Sequence, residues 1–566
     1  MKGESMNIAL RQEKESAVKP FFFKFSVNRT VWFWWFLTVV LAFFIQLLTI
    51  DVLPHLQQDE AQITDYGRLA LDPNSEWSVT WIVEEAKPLL LWSYLGPLIS
   101  EISFNMGGGL GIGPRIISLL GGVLAATVIF GWLSSRRVPV YAAFGLSVAF
   151  LLDPLFVLSQ RMGRMDALVF TFCLLACWLL RLAENKIFKR GEFYTFAAGG
   201  SVAVAAFIWP SAIFLFPLIF MEFFYRNPGR KINDKWKYYS NKLFFFGIGG
   251  GTIAILLLIP IRNSIVPIFS DMGSMVTQNV DSSRTLVTQI FALFDFELWL
   301  KLGKVFVKTF SPLFPVFALA AILIRRDKSL IFALTVTLGL IFASLVYEFR
   351  AIYLLPVFVL LISTLFTEPS YLNKEKWIKS FNRISLIVLL FWSIGVSLGV
   401  RTIMGFDGKT DRSRDRILNV AEASIGKGDY KVFLDYTYEF YFVGRSLGWK
   451  IYIPYIQYSN DDEGNWIRNK DYEKQPEFTK LLSEMDFAVF SQGSVNYILQ
   501  QQLSTAGLKF VNEFNLDNEK GINEAIPTSR NEEIMLGFLR GKESYGSYVL
   551  YGRSKNSNDY PRAVLK

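Results

Sequence analysis

The run VWFWWFLTVVLAFFIQLLTI at residues 31–50, followed by the acidic stretch QDEAQ at 58–62, decides the fold class. Twenty consecutive residues without a charge rise about 30 Å as a helix, the thickness of a bilayer's hydrocarbon core. Trp32, Trp34 and Trp35 read as interface anchors of that span. Comparable apolar runs follow at Ile116–Leu133, Tyr141–Gln160, Ala167–Leu180, Leu243–Pro260, Val305–Ile324, Leu330–Tyr347, Ile352–Phe366 and Ile384–Val400. The chain reads as a polytopic α-helical membrane protein.

Composition excludes the other classes. Of 566 residues, 52% are hydrophobic, 16% aromatic and 19% charged, against roughly 25% charged in an average soluble domain. Apolar residues dominate and no three-residue glycine period appears, so a disordered or collagen-like chain is excluded. The formal net charge is +9, but most basic residues lie in short loops between apolar runs, which points to topology and not to nucleic acid. The two cysteines, Cys173 and Cys177, stand four apart in one apolar run. That spacing stacks them on one helix face, which suits packing and not a disulfide. With His55 the single histidine, no cluster of imidazoles or thiolates is available to hold a metal. The first run lacks a small-residue cleavage site and reads as a retained anchor after a cytoplasmic N-terminus, residues 1–30.

Loop charges set the topology. One apolar stretch, Tyr194 to Tyr225, is broken at Trp209-Pro210-Ser211 and is either one tilted helix or two short ones. Lys186, Lys189 and Arg190 precede it, and Arg226, Arg230, Lys231, Lys235, Lys237 and Lys242 follow it. Cytoplasmic loops collect Lys and Arg, so both flanks belong inside and the stretch crosses twice. With eleven crossings, Arg136-Arg137, Arg325-Arg326-Lys328 and the Lys374–Arg383 loop also fall inside. A membrane domain then spans residues 31–402, with long outer loops at 51–114 and 261–304. Residues 403–566 form an extracytoplasmic domain. That tail changes character: short runs at Lys431–Tyr436, Trp449–Pro454, Phe487–Phe490 and Tyr548–Tyr551 read as buried strands, with helices around Arg416–Ala423 and Glu477–Met485. A water-soluble α/β domain is expected, and no site is assigned to its aromatics Tyr436, Tyr438, Tyr441 and Trp449.

The outer loops carry the chemistry. Asp59-Glu60 follows the first span, and Glu84-Glu85-Ala86-Lys87-Pro88 precedes the aromatic LLLWSY at 89–94. Carboxylates at a membrane surface invite a functional reading, since one can accept a proton from an acceptor hydroxyl; they equally suit the start of an interfacial helix. Lys87 can hold a phosphate as a compact positive charge. Asp166 opens a span, as an N-cap would. Arg161 and Arg164 place two cations in a six-residue outer loop, against the cytoplasmic preference, so an anionic ligand is a natural reason for them. Gly107–Gly113 lacks the Lys-Ser/Thr ending of a phosphate loop and reads as a flexible outer loop. The loop 261–304 holds Arg262, Asp271, Asp281, Arg284, Asp295 and Glu297, with an amphipathic stretch at Leu286–Leu300.

The order Asp59-Glu60-Ala61, Lys87-Pro88, Gly113-Pro114-Arg115, Arg161…Asp166 and RAIYLLP at 350–356 resembles the GT-C membrane glycosyltransferases. Within them it is similar to the bacterial aminoarabinose transferases and protein O-mannosyltransferases. The resemblance runs from Val31 to Phe366 and implies a GT-C fold. It also implies transfer of a sugar from a polyprenyl-phosphate donor to a lipid, glycan or protein acceptor outside the membrane, with inversion. It assigns Asp59 as the catalytic carboxylate, Glu60 beside it, and Asp166 as the acid shaping the acceptor pocket. Lys87, Arg161, Arg164, Arg284, Arg350 and Tyr353 become the residues for lipid phosphate and sugar. Gln62 replaces the arginine usual after the acidic pair, and Arg262 or Arg284 would supply the missing cation. The zinc site of the aminoarabinose branch uses a later histidine; here none follows His55, so no cofactor is predicted, with a divalent metal left open. The branch places the protein in the bacterial inner membrane, among membrane lipids. A flippase for lipid-linked saccharide is the competing reading, but it would concentrate ionisable residues inside the spans.

Overall fold

The computed structural model describes residues 29–54, 56, 58–72, 75, 93–184, 188–226, 235–264, 292–344, 346–367, 376–407, 413–435, 437–453, 457–460, 466–469, 476–491, 495–514 and 548–553. Its first helices are α1 (Arg29–Leu47), α2 (Gln58–Leu71), α3 (Leu95–Met106) and α4 (Ile112–Ser135). A bent pair, α5 (Val140–Leu151) and α6 (Pro154–Arg161), leads to α7 (Asp166–Glu184) and α8 (Phe188–Ile208). Six helices are long and apolar enough to cross a membrane among the described residues, and the bent pair has the length and composition of one broken span or a re-entrant loop. The 53° bend falls at Asp153-Pro154. Pro154 fits the first turn of α6, and Asp153 caps it by accepting from the Leu155 and Phe156 amides at 3.0 and 3.2 Å.

The stretch broken at Trp209-Pro210-Ser211 is two segments. Helix α8 ends at Ile208, a 3₁₀ turn runs Pro210–Leu215, and α9 (Phe216–Phe224) follows. Beyond it lie α10 (Lys235–Leu258), α11 (Phe296–Lys308), α12 (Leu313–Arg325) and α13 (Lys328–Ala343). After the short helix α14 (Glu348–Ala351) come α15 (Leu355–Ser363), α16 (Lys376–Ile394) and α17 (Arg401–Asp407). One expectation needs correction. Val305–Ile324 is not a single span: Phe310 has φ 57°, Pro312 cannot continue a hydrogen-bonded turn, and the Ser311 hydroxyl donates to Asp153 at 2.5 Å. The apolar helix that remains there is α12, and the described amphipathic helix of this region runs Phe296–Lys308; residues 286–291 of the expected Leu286–Leu300 stretch lie outside the described residues.

The tail is an α/β unit. Helix α18 (Arg414–Ser424) enters it, followed by β1 (Lys431–Leu434), α19 (Glu439–Ser446) and β2 (Lys450–Tyr452). A hairpin, β3 (Gln457–Asn460) with β4 (Trp466–Asn469), precedes α20 (Pro476–Glu484), β5 (Phe487–Ser491), α21 (Tyr497–Thr505), β6 (Leu508–Phe514) and β7 (Tyr548–Arg553). The five-stranded sheet has the order β2-β1-β5-β7-β6; β1 is parallel to β2 and β5, and β7 is antiparallel to β5 and β6. The glycine run before α4 packs against the C-terminal domain. Gly108, Gly109 and Gly111 adopt positive φ in a tight turn, and a Cβ on Gly111 would lie 2.5 Å from the Phe442 ring of α19.

Two apolar cores result. One lies among the membrane helices, with Ile63 of α2 in it. The other fills the C-terminal domain and takes in Leu56, Ala61 and Phe104 from the segment between α1 and α4. Helix α2 is thus shared between them.

Candidate active site

Helix α2 begins with Gln58, so Asp59 and Glu60 lie in its first turn, where the helix dipole favours acids. Their environments differ. Glu60 is buried, and both its oxygens accept from the Arg115 guanidinium of α4 at 2.7 Å. The third Arg115 donor goes to the Ile50 carbonyl at 2.7 Å. Asp59 keeps 38% of its side chain exposed and pairs with Nη1 of Arg164.

Arg164 is the centre of the group. Its Nε donates to Asp166 Oδ2 at 2.7 Å, and its guanidinium lies 3.9 Å from the centroid of the Phe349 ring. Burial works against its charge, yet Asp166 beside it holds its pKa above the ordinary arginine value. Asp166 opens α7 fully buried, and its Oδ1 accepts from the Tyr353 hydroxyl at 2.6 Å. The Tyr353 ring stacks on Phe170 at 4.9 Å. Four residues from three distant parts of the sequence (Asp59, Arg164 with Asp166, and Tyr353) therefore form one connected chain of charge-assisted hydrogen bonds.

Arg350 borders this chain. It donates from Nη1 to Ser211 Oγ at 3.2 Å and lies 4.8 Å over the Phe214 ring, while its buried Nε has no partner among the described residues. Ser211 comes from the Trp209-Pro210-Ser211 break, so the discontinuity between α8 and α9 delivers a hydroxyl to the site. Arg161 lies apart from the group. Its guanidinium donates to the carbonyls of Gln46, Thr49 and Leu53 and to the Thr49 hydroxyl at 2.7–3.1 Å. It satisfies the carbonyls left open where α1 ends, and its donors are taken. Lys87 and Arg284 lie outside the described residues.

Sequence reasoning missed the Arg115–Glu60 pair, Phe349 and Ser211. Arg115 alone offered a signal, a lone cation opening an apolar run, because a charge there needs a partner. Among the described residues no three His, Cys, Asp or Glu side chains converge as metal ligands do, and His55 is not among them. Chemically, the group offers one accessible carboxylate beside a fixed guanidinium, which suits taking up a proton next to an anionic ligand.

No protein-family model matches the sequence, and no curated protein matches it. Solved structures do. The chain superposes on the crystal structure of ArnT from Cupriavidus metallidurans bound to undecaprenyl phosphate with a TM-score of 0.53 and 12% identity, covering 93% of this chain and 99% of that one. It also matches a cryo-EM structure of arabinofuranosyltransferase AftD from Mycobacteria, with a TM-score of 0.46 and 13% identity over 94% of this chain and 42% of that one. The first likeness shows a GT-C fold.

Proposed function

From that fold we propose that the protein is a glycosyltransferase moving a sugar from a polyprenyl-phosphate donor to a hydroxyl of a lipid, glycan or protein on the outer face of the bacterial inner membrane. The observation that carries this is the state of Asp59: of the connected group's two acids it alone is partly open, while Asp166 is closed off against Arg164 and Tyr353. The ArnT structure, whose bound molecule is undecaprenyl phosphate, supports the donor class.

Asp59 acts as general base. It takes the proton of the acceptor hydroxyl as that oxygen bonds to the anomeric carbon. The bond from that carbon to the phosphate oxygen breaks, its electron pair stays on the phosphate, and polyprenyl phosphate departs. A single displacement inverts the anomeric centre. Phosphate is already a good leaving group, so positive charge near the departing oxygen is the larger need. Lys87 supplies it at the lipid phosphate, the unpartnered Nε of Arg350 is a second donor for an anion, and Arg164 aims Asp59. The N-terminus lies in the cytoplasm and residues 403–566 on the outer side.

The test is transfer in liposomes from a panel of radiolabelled polyprenyl-phosphate monosaccharides to membrane-extract acceptors. Asp59→Asn should lower turnover at least about a hundredfold, the usual contribution of a general base, and Lys87→Ala should raise the donor KM. Undiminished transfer by Asp59→Asn overturns the assignment. Movement of lipid-linked sugar across the bilayer without transfer makes the protein a flippase instead.

A further inference from the structure

The C-terminal domain has no role in the chemistry above, yet its polar contacts with the rest of the chain include, beside a Ser446 hydroxyl on the Gly109 carbonyl at 2.5 Å, contacts to α2, which carries Asp59, and to α3. Its α19 sends Tyr441 and Arg445 in that direction. The Tyr441 hydroxyl donates to Asp65 Oδ1 of α2 at 3.0 Å, and Arg68 Nε donates to the same oxygen at 2.9 Å. Arg445 grips Glu101 of α3 with two hydrogen bonds, at 2.8 and 2.7 Å, and lies 4.4 Å over the Phe104 ring. Phe442, between them in sequence, packs its ring 5.4 Å from Phe104. The two gripped helices are joined by Thr64 Oγ1 and Ser100 Oγ at 2.8 Å.

Helix α2 needs this support. A 14-residue helix is marginal on its own in water, and its order must come from packing. The membrane bundle supplies one side, through Arg115 on Glu60 and the burial of Ile63. The C-terminal domain supplies the other, through Tyr441 on Asp65 and the burial of Ala61 in its own core. Asp59 precedes all of these anchors by one to six residues, so its carboxylate is fixed only while both sides hold.

We propose that the C-terminal domain is the second jaw of a clamp on α2, with Tyr441 and Arg445 as positioning residues that set Asp59 against Arg164. The inference rests on the reading of Asp59 as base. It assigns the domain to the rate of the transfer step and not to donor binding.

The experiment uses the full chain in liposomes, with Tyr441→Phe, Arg445→Met and both together. Each single variant should lower kcat per folded molecule about tenfold and the pair about a hundredfold, the scale of a 1 Å misplacement, with the donor KM unchanged within about twofold. Asp65→Asn should cost more than Tyr441→Phe, because the same oxygen also accepts from Arg68 Nε. Independently of transfer, amide exchange in α2 should speed at least about tenfold in the double variant. A loss of activity that merely follows loss of folded protein, a raised donor KM at constant kcat, or unchanged exchange in α2 overturns the clamp. If the wild type transfers sugar from no donor, the proposed function fails, and the exchange measurement still decides whether the domain holds α2.

Discussion

Replacing Glu60 by Gln separates structure from chemistry at the paired acids of α2. Glu60 and Arg115 both have fully buried side chains, and two hydrogen bonds of 2.7 Å join them. Removing the negative charge leaves an uncompensated guanidinium in the interior. Breaking a buried pair in this way costs about 3–5 kcal/mol. Gln keeps the shape and one acceptor, so the lower end applies, about 3 kcal/mol, which lowers a melting temperature by roughly 6 °C in a domain of a few hundred residues. Asp59→Asn, at a side chain 38% exposed, should lower melting less than Glu60→Gln does, because Arg164 keeps its pair with Asp166. Replacing both partners, Glu60→Leu with Arg115→Met, should recover most of the Glu60→Gln loss because no charge is stranded. The assay is thermal unfolding in one detergent at one heating rate, beside sugar transfer per folded molecule. If Glu60→Gln melts with the wild type and abolishes transfer, Glu60 takes part in the chemistry and the argument from burial is wrong.

Tyr353→Phe removes the hydroxyl that donates to Asp166 at 2.6 Å. The buried carboxylate loses a partner at about 1–3 kcal/mol, so turnover should fall at least about fivefold with the fold intact by size exclusion. Gly67→Ala should be severe, since a Cβ there would lie 2.1 Å from the Pro97 carbonyl oxygen; α2 and α3 must separate, and loss of α2 amide protection checks it. Glu222 is held by Trp132, Arg136 and Arg181, and Glu222→Gln should lower the melting temperature by roughly 6 °C or more with the donor KM unchanged. Burial pushes the Tyr441 phenol above its ordinary value, so the native state favours the neutral form. Its contribution is complete below the unfolded phenol's pKa of about 10 and declines as pH rises above it; a melting temperature that Tyr441→Phe makes less sensitive between pH 9 and 11 is the expected sign.

Much of the fold was legible because its signals are local. Uncharged runs of bilayer length mark helices whatever surrounds them, and the strands at Lys431–Leu434, Lys450–Tyr452, Phe487–Ser491 and Tyr548–Arg553 follow short apolar bursts. The expected span at Val305–Ile324 failed because hydropathy averages over Phe310-Ser311-Pro312, where one backbone reversal and one proline outweigh the apolar residues around them. Helix α19 was read only as aromatic residues for a core, since nothing within Tyr438–Ser446 says that Tyr441 and Arg445 reach Asp65 and Glu101 more than 300 residues away. At the site, Asp59, Asp166 and Tyr353 were found by their likeness to a family's motifs. Their connection through Arg164 is a fact of three dimensions. Glu60 and Asp59 are neighbours in sequence with different fates, because a helix turns about 100° per residue and presents one to α4 and the other, partly open, to Arg164.

The order of strands bears on how the protein is made. The sheet runs β2-β1-β5-β7-β6, so the strand that leaves the ribosome last among those described, Tyr548–Arg553, occupies an interior position between β5 and β6. Until it is inserted, β5 and β6 have no common neighbour and the domain's core stays open. The grip of α19 on α2 waits for that core. Under the proposed clamp, a nascent chain stalled before β7 would carry every residue of the site and still lack its alignment, so competence arrives with the last of the described strands.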